Sequence, residues 1–293
     1  MTSGRCWCSR VSLRAVGLWV LLLAGLAGCA TTTPVPIAEE SRLRGDTIAL
    51  LGEVHDNADA QRLRLDMLRR AIAAGWRPAI AMEQFDTSRQ ADIARARREA
   101  PRDAQHVIDL AAPARSGWDW SLYRPVIALA LEHDLPLWAA NLASADTSKI
   151  VRSGYASVFE PDRLAALGLG LPMAPDWQAA QEREIDAGHC GLLPATMWPA
   201  MARAQFARDA VMAALLHEHA AQGIVLIAGN GHARRDLGVP RWLPAADRSR
   251  VLAIGFLEPD TPPALAGAFD AVVRVPAASR DDPCAALATR KKD

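Results

Sequence analysis

The chain has 293 residues, of which 33 are basic and 33 acidic, so its formal net charge is zero. This length is enough for one large domain with a full hydrophobic core that needs no stabilising disulfide or metal. The balanced charge gives no reason to expect nucleic acid as a partner, since binding to phosphate backbones depends on an excess of basic residues.

The first residues have the pattern of an export signal. A start containing three arginines precedes an apolar run at residues 16–27, which ends in Leu26-Ala27-Gly28-Cys29. A basic head, a short apolar stretch and a small-residue exit are typical of a signal peptide, and a cysteine directly after the exit is typical of a bacterial lipobox. The apolar run is shorter than the roughly 20 residues that span a bilayer. The pattern therefore predicts a lipoprotein signal peptide at residues 1–28.

Cleavage at this lipobox would leave Cys29 as the first residue, with its thiol carrying lipid such as palmitate. Ala30 follows it, and no aspartate is present to retain the protein at the inner membrane. We therefore expect a protein anchored by lipid in the outer membrane and facing the periplasm. An uncleaved membrane anchor and a plain secretory peptide are the alternative interpretations.

After a tether at residues 29–45, short apolar runs alternate with segments of helical periodicity. The runs of strand length are residues 47–51, 78–82, 135–139, 224–228, 251–257 and 271–275. The helical segments are residues 59–74, 88–99, 122–133 and 194–221. This alternation predicts an α/β fold with a largely parallel sheet flanked by helices. No strand pattern occurs in residues 144–222, which we interpret as a helical insertion or cap, and residues 277–293 are predicted to be a flexible tail.

Polar side chains follow four of the predicted strands, at the point where each strand ends. They are Glu53, His55, Glu83, Asn141, Asn230 and His232. Ligands of parallel α/β sheets bind outside the carboxyl ends of the strands, so we expect these side chains to share one rim. Each one alone is better explained as a helix cap or an ion-pair partner. Together, two carboxylates and two histidines can serve acid–base chemistry or bind a metal.

Two further clusters are candidates for binding. Trp118 and Tyr123 belong to a tryptophan-rich segment that could form the wall of a flat apolar ligand or simply pack on the core. Gln205 and Asp209 share one face of the long helix, which predicts either a wet cavity beneath that face or a partly buried helix with a solvated flank. Cys190 and Cys284 could form a disulfide in an exported protein, although nothing in the sequence shows that they meet.

The motifs together resemble one protein family. They are the segment from Gly52 to Asn57, the Glu83-Gln84-Phe85 run, residues 118–125, Asn141, and the segment from Gly229 to His232. With the lipobox, they are similar in order and spacing to the ChaN-like haem-binding uptake lipoproteins over residues 46–276. The resemblance implies an EreA/ChaN-like α/β fold and an iron-regulated lipoprotein. It also implies haem held between two subunits of a homodimer, a tyrosine as axial ligand, and an outer-membrane haem receptor as a partner.

The resemblance suggests which residues would hold the haem. Tyr155 and Tyr123 are the two tyrosines of the chain, and Tyr155, in the helical insertion, is nearer to the position expected for the ligand. His189 is an alternative ligand or propionate partner. Arg152 could pair with a propionate in place of the family's lysine, because arginine binds carboxylates well, and Trp118 could form a wall of the site.

Two functions follow from these observations. The first is a haem-binding protein without turnover that assists haem and iron uptake. The second is a metal-dependent hydrolase of the erythromycin esterase or TIKI-like type, in which the rim residues bind a divalent metal or activate water. In that case the metal-binding and catalytic residues would be Glu53, His55, Glu83 and His232.

Overall fold

This computed structural model describes residues 37–114, 117–282 and 284–285. They are organised around a six-stranded sheet in which all strands are parallel. The strands are β1 (Ile48–Glu53), β2 (Ala79–Asp86), β3 (Leu137–Asn141), β4 (Ile224–Gly229), β5 (Val251–Leu257) and β6 (Ala271–Arg274). Their order across the sheet is β3-β2-β4-β1-β5-β6, and every neighbouring pair is parallel. The predicted α/β fold class is confirmed.

Helices connect the strands and cover both faces of the sheet. In the first half of the chain they are α1 (Ala58–Ala73), α2 (Gln90–Glu99), α3 (Ala104–Ala111), α4 (Trp120–Glu132) and α5 (Ser144–Ser153). In the second half they are α6 (Pro161–Ala166), α7 (Pro175–Gly188), α8 (Trp198–His219), α9 (Asn230–Ala233), α10 (Ala245–Arg248) and α11 (Pro263–Ala266). Because both faces are covered, the strands are apolar almost throughout rather than alternating, and every residue of β1, β4 and β5 is buried.

The hydrophobic core forms one layer on each face of the sheet and a third in the cap. Side chains of α1 to α4 pack on one face, whereas Met212 and Leu216 of α8 pack on the other. The third layer joins the earlier part of α8, including Phe206, to α5 and to residues 158–177. The segment Val35–Asp293 forms one compact unit that holds every described strand and core residue. The described core therefore belongs to a single unit.

The strand order places a topological switch point between β1 and β4. The chain leaves β1 towards β2 on one side and leaves β4 towards β5 on the other. These two strands are adjacent and in register, with Glu53 opposite Gly229. Diverging connections open a crevice at the carboxyl ends of such strands, which is where ligands of α/β sheets bind. The fold therefore brings the residues that follow β1 and β4 to one place.

The strands occur where the sequence predicts them, but β2 is longer than expected. It runs to Asp86, so Glu83, Gln84 and Phe85 lie within the strand rather than after it. The reason is that Phe85 is wholly buried against the core and Glu83 has buried partners, so the chain stays extended despite its polar residues. Glu53 is likewise the last residue of β1.

Residues 144–222 are helical and contain no strand. They form α5 to α8 together with short 3-10 turns, one of which is Tyr155–Ser157. The long helix predicted over 194–221 is α8, preceded by a 3-10 turn rather than by further α-helix. In the part of the chain that the structure describes, no helix is both long enough and apolar enough to cross a membrane. The predicted signal peptide and Cys29 lie outside the described residues.

The described part of the tail makes specific contacts with the rest of the fold, and its predicted flexibility stays a prediction. Arg280 pairs with Asp56, in the loop after β1, and with Glu258, in the loop after β5. A disulfide joins Cys284 to Cys190, just after α7, with 5.6 Å between their Cα atoms. The sequence left this pairing open, and the structure shows that the two cysteines meet. The tail therefore links the carboxyl end of the sheet to the cap.

Candidate functional site

Glu53 is a buried anion surrounded by polar side chains. Its carboxylate accepts hydrogen bonds from the guanidinium of Arg64 on α1, from Gln61 Nε2 at 3.0 Å and from Gln84 Nε2 at 3.1 Å. Tyr123 on α4 donates its hydroxyl to the same carboxylate at 2.6 Å. Burial lowers the pKa of Arg64 to about 10, so this side chain is still charged at neutral pH. Glu53 is therefore neutralised inside the protein and is not open to solvent.

His55 is the exposed member of this group. Its Nδ1 lies 2.8 Å from Glu53 Oε1, and 46 % of its side chain is exposed. Its ring meets the ring of Trp118 edge to face, with centroids 4.7 Å apart. Burial lowers the pKa of His55, an effect that Glu83 opposes and His232 and Arg208 reinforce. At neutral pH the ring is therefore uncharged, with its Nδ1 proton assigned to the bond with Glu53.

Glu83 forms a second buried cluster beside the first. Its carboxylate is paired with Arg208 of α8, accepts the backbone N–H of Gly229 at 2.7 Å, and lies 3.5 Å from His232 Nε2. Burial favours the neutral acid, but His232, Arg208 and His55 outweigh it and hold the pKa of Glu83 well below its ordinary value. Arg208 Nε also donates to Asn141 Oδ1 at 2.9 Å, which brings the end of β3 into the cluster.

His232 is a buried, protonated histidine. Its Nδ1 lies 2.5 Å from Asp209 Oδ1. Burial and Arg208 oppose its positive charge, but Glu83 and Asp209 outweigh them and raise its pKa to about 9. Asp209 is completely buried against it, and burial raises the pKa of Asp209, an effect that His232 and Arg208 oppose. Asp209 therefore lies in a buried polar pair with His232 and does not line an open cavity. The reason is that the polar face of α8 meets the polar end of β4 instead of water.

The pKa of His232 predicts how stability depends on pH. A histidine whose pKa is higher in the folded state contributes stability in full below its unfolded pKa and loses it as pH rises through the folded value. We expect the free energy of unfolding to fall between pH 6.5 and about 9, by up to about 3 kcal/mol. Urea unfolding over that range measures it. A free energy that stays constant would contradict a protonated His232.

Asn230 lies between the two clusters and against β1. Its Nδ2 donates to the carbonyl of Phe256 at 2.9 Å. A Cβ added to Gly52 would come within 2.3 Å of Asn230 Oδ1, so only glycine fits at that point of β1. The six rim residues predicted from the sequence therefore do come together, at the switch point of the sheet.

The structure does not support the use of these residues as metal ligands. Arg64 neutralises Glu53, Arg208 neutralises Glu83, and a protonated His232 has no free electron pair for a metal. Among the described residues, no group of three or more His, Cys, Asp and Glu side chains could hold a metal ion. The metal-dependent hydrolase is therefore not favoured.

The sequence analysis did not predict the two arginines that neutralise the carboxylates of the rim. Arg64 belongs to the inward face of α1, four residues from both Ala60 and Leu68, and all three side chains are buried. The signal in the sequence was a basic residue at a helix position where the spacing of the apolar residues predicts another apolar one. Arg208 had a similar signal, since it lies beside Asp209 on a helix that is otherwise largely apolar.

The residues proposed to bind haem are divided between two places. Trp118 and Tyr123 pack beside His55 at the rim. Tyr123 is completely buried and its hydroxyl is bonded to Glu53, so its phenol is not accessible to a haem iron. The structure therefore argues against Tyr123 as the axial ligand. Tyr155 and Arg152 lie in the cap instead.

Tyr155 begins the 3-10 turn that follows α5. Gly154, with φ of +79°, ends the helix in a conformation that other residues rarely adopt and turns the chain at this point. Tyr155 is half-buried against the cap core, and burial raises its pKa to about 12, an effect that Arg203 of α8 opposes. Arg152 is exposed in the last turn of α5. His189 ends α7, with its Nδ1 2.7 Å from the carbonyl of Ile185.

A family model and solved structures of other proteins match this chain. The family model described as "Haem-binding uptake, Tiki superfamily, ChaN" matches residues 41–243. Comparison with curated proteins gives no significant match. One similar solved structure is that of cofacial haem binding to ChaN of Campylobacter jejuni, with 17 % identity and a TM-score of 0.60. The match covers 76 % of this chain and 85 % of that one.

A mutant of the erythromycin esterase EreC in its open conformation is also similar. It has 14 % identity and a TM-score of 0.45, with 74 % of this chain and 71 % of that chain covered. The match to the family model spans more than half of the chain and includes both β1 and β4 with the rim residues that follow them. The chain belongs to the ChaN family of haem-binding uptake proteins, in the Tiki superfamily.

Proposed function

We propose that this protein is an outer-membrane lipoprotein that binds haem and assists haem and iron uptake. Membership of the haem-binding uptake family supports the haem-binding part of the proposal. The pattern around Cys29 supports the lipid anchor. The single observation that carries the assignment in this chain is the position of Tyr155, a half-buried phenol on the cap that is close enough to Arg203 to be affected by its charge.

Tyr155 has the surroundings that a haem ligand requires. Tyrosine binds haem iron as the phenolate. Burial raises the pKa of Tyr155 to about 12 in the protein without haem, and the charge of Arg203 opposes that effect. Arg203 Nε is buried and has no hydrogen-bond partner among the described residues. The residues present therefore fit the group, with Tyr155 as the iron ligand.

The neighbouring residues would bind the rest of the porphyrin. Val158 and Phe159 are partly buried beside Tyr155 on the apolar cap core and provide an apolar contact. Arg152 is exposed one turn before Tyr155, and its guanidinium can pair with a propionate. When bound, haem would supply the iron that is carried, whereas these residues hold and orient it. We further propose that two copies of the chain enclose the haem, with a haem receptor in the outer membrane as the partner.

A haemin titration tests the proposal. The segment 35–293 should shift the Soret band of haemin, and Tyr155→Phe should weaken binding by at least about tenfold because it removes the phenolate. Tyr155→Phe removes one oxygen atom from a half-exposed residue, so the fold is expected to be unchanged. Sedimentation of the complex gives the number of chains per haem.

His189→Ala is the matched control, since His189 is the alternative ligand. We expect it to leave the Soret shift unchanged. If His189→Ala abolishes the shift and Tyr155→Phe does not, the assignment of Tyr155 is wrong and His189 is the ligand. If haemin does not bind even the unsubstituted segment 35–293, the proposed function as a whole is contradicted.

A further inference from the structure

An open cavity of 520 Å³ lies beside the sheet, between two loop segments far along the chain from the rim residues of β1. Residues 168–177 form one side and residues 235–248 form the other. Its charged lining residues are Arg235, Arg241 and Arg248, and no acidic residue of the described chain lines it. We call it the arginine cavity. Its chemistry is that of an anion-binding site.

Two of these arginines carry charges that are not neutralised. The guanidinium of Arg241 lies over the ring of Trp177, 4.4 Å from its centroid. Arg248 Nε donates to the carbonyl of Leu243 at 2.7 Å, and its Nη2 donates to the carbonyl of Arg241 at 3.3 Å. Neither arginine forms an ion pair with a carboxylate of residues 37–114, 117–282 or 284–285. Both are therefore positive charges held in place by neutral partners.

The opposite side of the cavity is an exposed apolar loop. Leu171 has 77 % of its surface exposed, the highest value for a large apolar side chain in the described part of the protein. Pro172 and Ala174 are also exposed, and Met173 is half-buried. An apolar side chain in water gains free energy when it is buried. Apolar residues next to basic ones are typical of surfaces that enter the headgroup region of a membrane.

The arginine cavity is also close to the beginning of the described chain. Arg235, which is paired with Asp270, donates to the carbonyl of Val251 at 2.8 Å. Arg42 donates to the same carbonyl at 3.1 Å. Val251 is the first residue of β5, so this contact lies at the amino end of the sheet. The N-terminal segment and the cavity therefore meet there, at the end of the strands opposite to the rim.

We propose that the arginine cavity and residues 170–174 form a docking surface for a membrane that contains anionic phospholipid. The headgroup phosphate would bind Arg241 and Arg248 while Leu171 enters the apolar boundary. The proposal rests on the proposed lipid anchor for its orientation. Cys29 precedes Ile37 by eight residues, which reach no further than about 30 Å. A surface near the start of the fold can therefore touch the anchored membrane while the rim and His55 face away from it.

Vesicle flotation with the segment 35–293 tests this surface without lipid on the protein and without haem. We expect binding to vesicles of phosphatidylethanolamine with phosphatidylglycerol, and none to phosphatidylcholine alone. Arg241→Gln and Arg248→Gln should each weaken binding by about fivefold, the effect of one basic residue at an anionic surface. Leu171→Asn should weaken it as well, with no change in the dependence on salt.

Arg98→Gln is the matched control, because Arg98 is exposed on α2, next to β3 at the other edge of the sheet. It removes the same charge and should leave vesicle binding unchanged. Equal losses in Arg98→Gln and Arg241→Gln would overturn the proposal, since binding would then depend on overall charge. Binding of inorganic phosphate without binding of vesicles would also overturn it. Haemin titration of the same variants measures haem binding separately, so a failure of vesicle binding can be distinguished from a failure of the proposed haem function.

Discussion

Arg64→Met is expected to destabilise the folded protein by about 3–5 kcal/mol. Arg64 and Glu53 are both buried, and removal of one partner of a buried ion pair leaves the other charge without compensation. The remaining contacts of Glu53, with Gln61, Gln84 and Tyr123, are neutral and cannot replace the lost cation. Urea unfolding followed by tryptophan fluorescence gives the free energy of unfolding for each variant.

Two further variants identify the cause of this loss. In Glu53→Gln/Arg64→Met both charges are absent, so we expect a smaller loss than in Arg64→Met alone. Arg62→Met lies on the exposed side of the same helix, where ion pairs contribute little, and should change stability by less than about 0.5 kcal/mol. If Arg64→Met and the double variant lose the same stability, the uncompensated charge is not the cause.

Gly238→Ala is expected to cost about 3 kcal/mol, at the upper end for an added methyl group in a packed site. A Cβ at this position would lie 2.2 Å from the carbonyl oxygen of His232 and 2.6 Å from its carbonyl carbon. Both atoms belong to the backbone, so the segment that follows β4 would have to move. That movement would also disturb the pair between His232 and Asp209. Thermal unfolding monitored by circular dichroism measures the loss.

Gly231→Ala is the control for this substitution, since it adds the same atom one residue before His232. A Cβ at Gly231 meets no atom within 4 Å. Gly231 also lies in α9, where alanine is preferred to glycine, so its stability should be equal or higher. If the two variants lose the same stability, lack of space for a Cβ is not the reason that position 238 requires glycine.

The strands and the rim could be predicted from the sequence because both follow from patterns of neighbouring residues in the chain. The apolar runs at β1, β4 and β5 are long enough to be recognised alone, and parallel strands bring their carboxyl ends together whatever the details of packing. Glu53, His55, Glu83 and His232 were therefore placed correctly in space. What they do there could not be predicted in the same way.

The chemistry of the rim depends on partners that are distant in sequence. Arg208 reaches Glu83 across 125 residues, and Tyr123 reaches Glu53 across 70. Carboxylates that look available in the sequence are thus already bound in the fold. The contacts of the tail could not be predicted for the same reason, because Arg280 pairs with residues more than 20 positions away.

The disulfide between Cys190 and Cys284 sets the order of events during biosynthesis. The two cysteines are 94 residues apart, so Cys190 is synthesised well before Cys284. Disulfides form and persist in oxidising environments, and this one can close only after the 94 residues that separate the two cysteines have been synthesised. A product truncated before Cys284 leaves Cys190 as an odd thiol that is open to pairing between molecules. Closure of this bond therefore marks a chain in which the cap and the tail have come together.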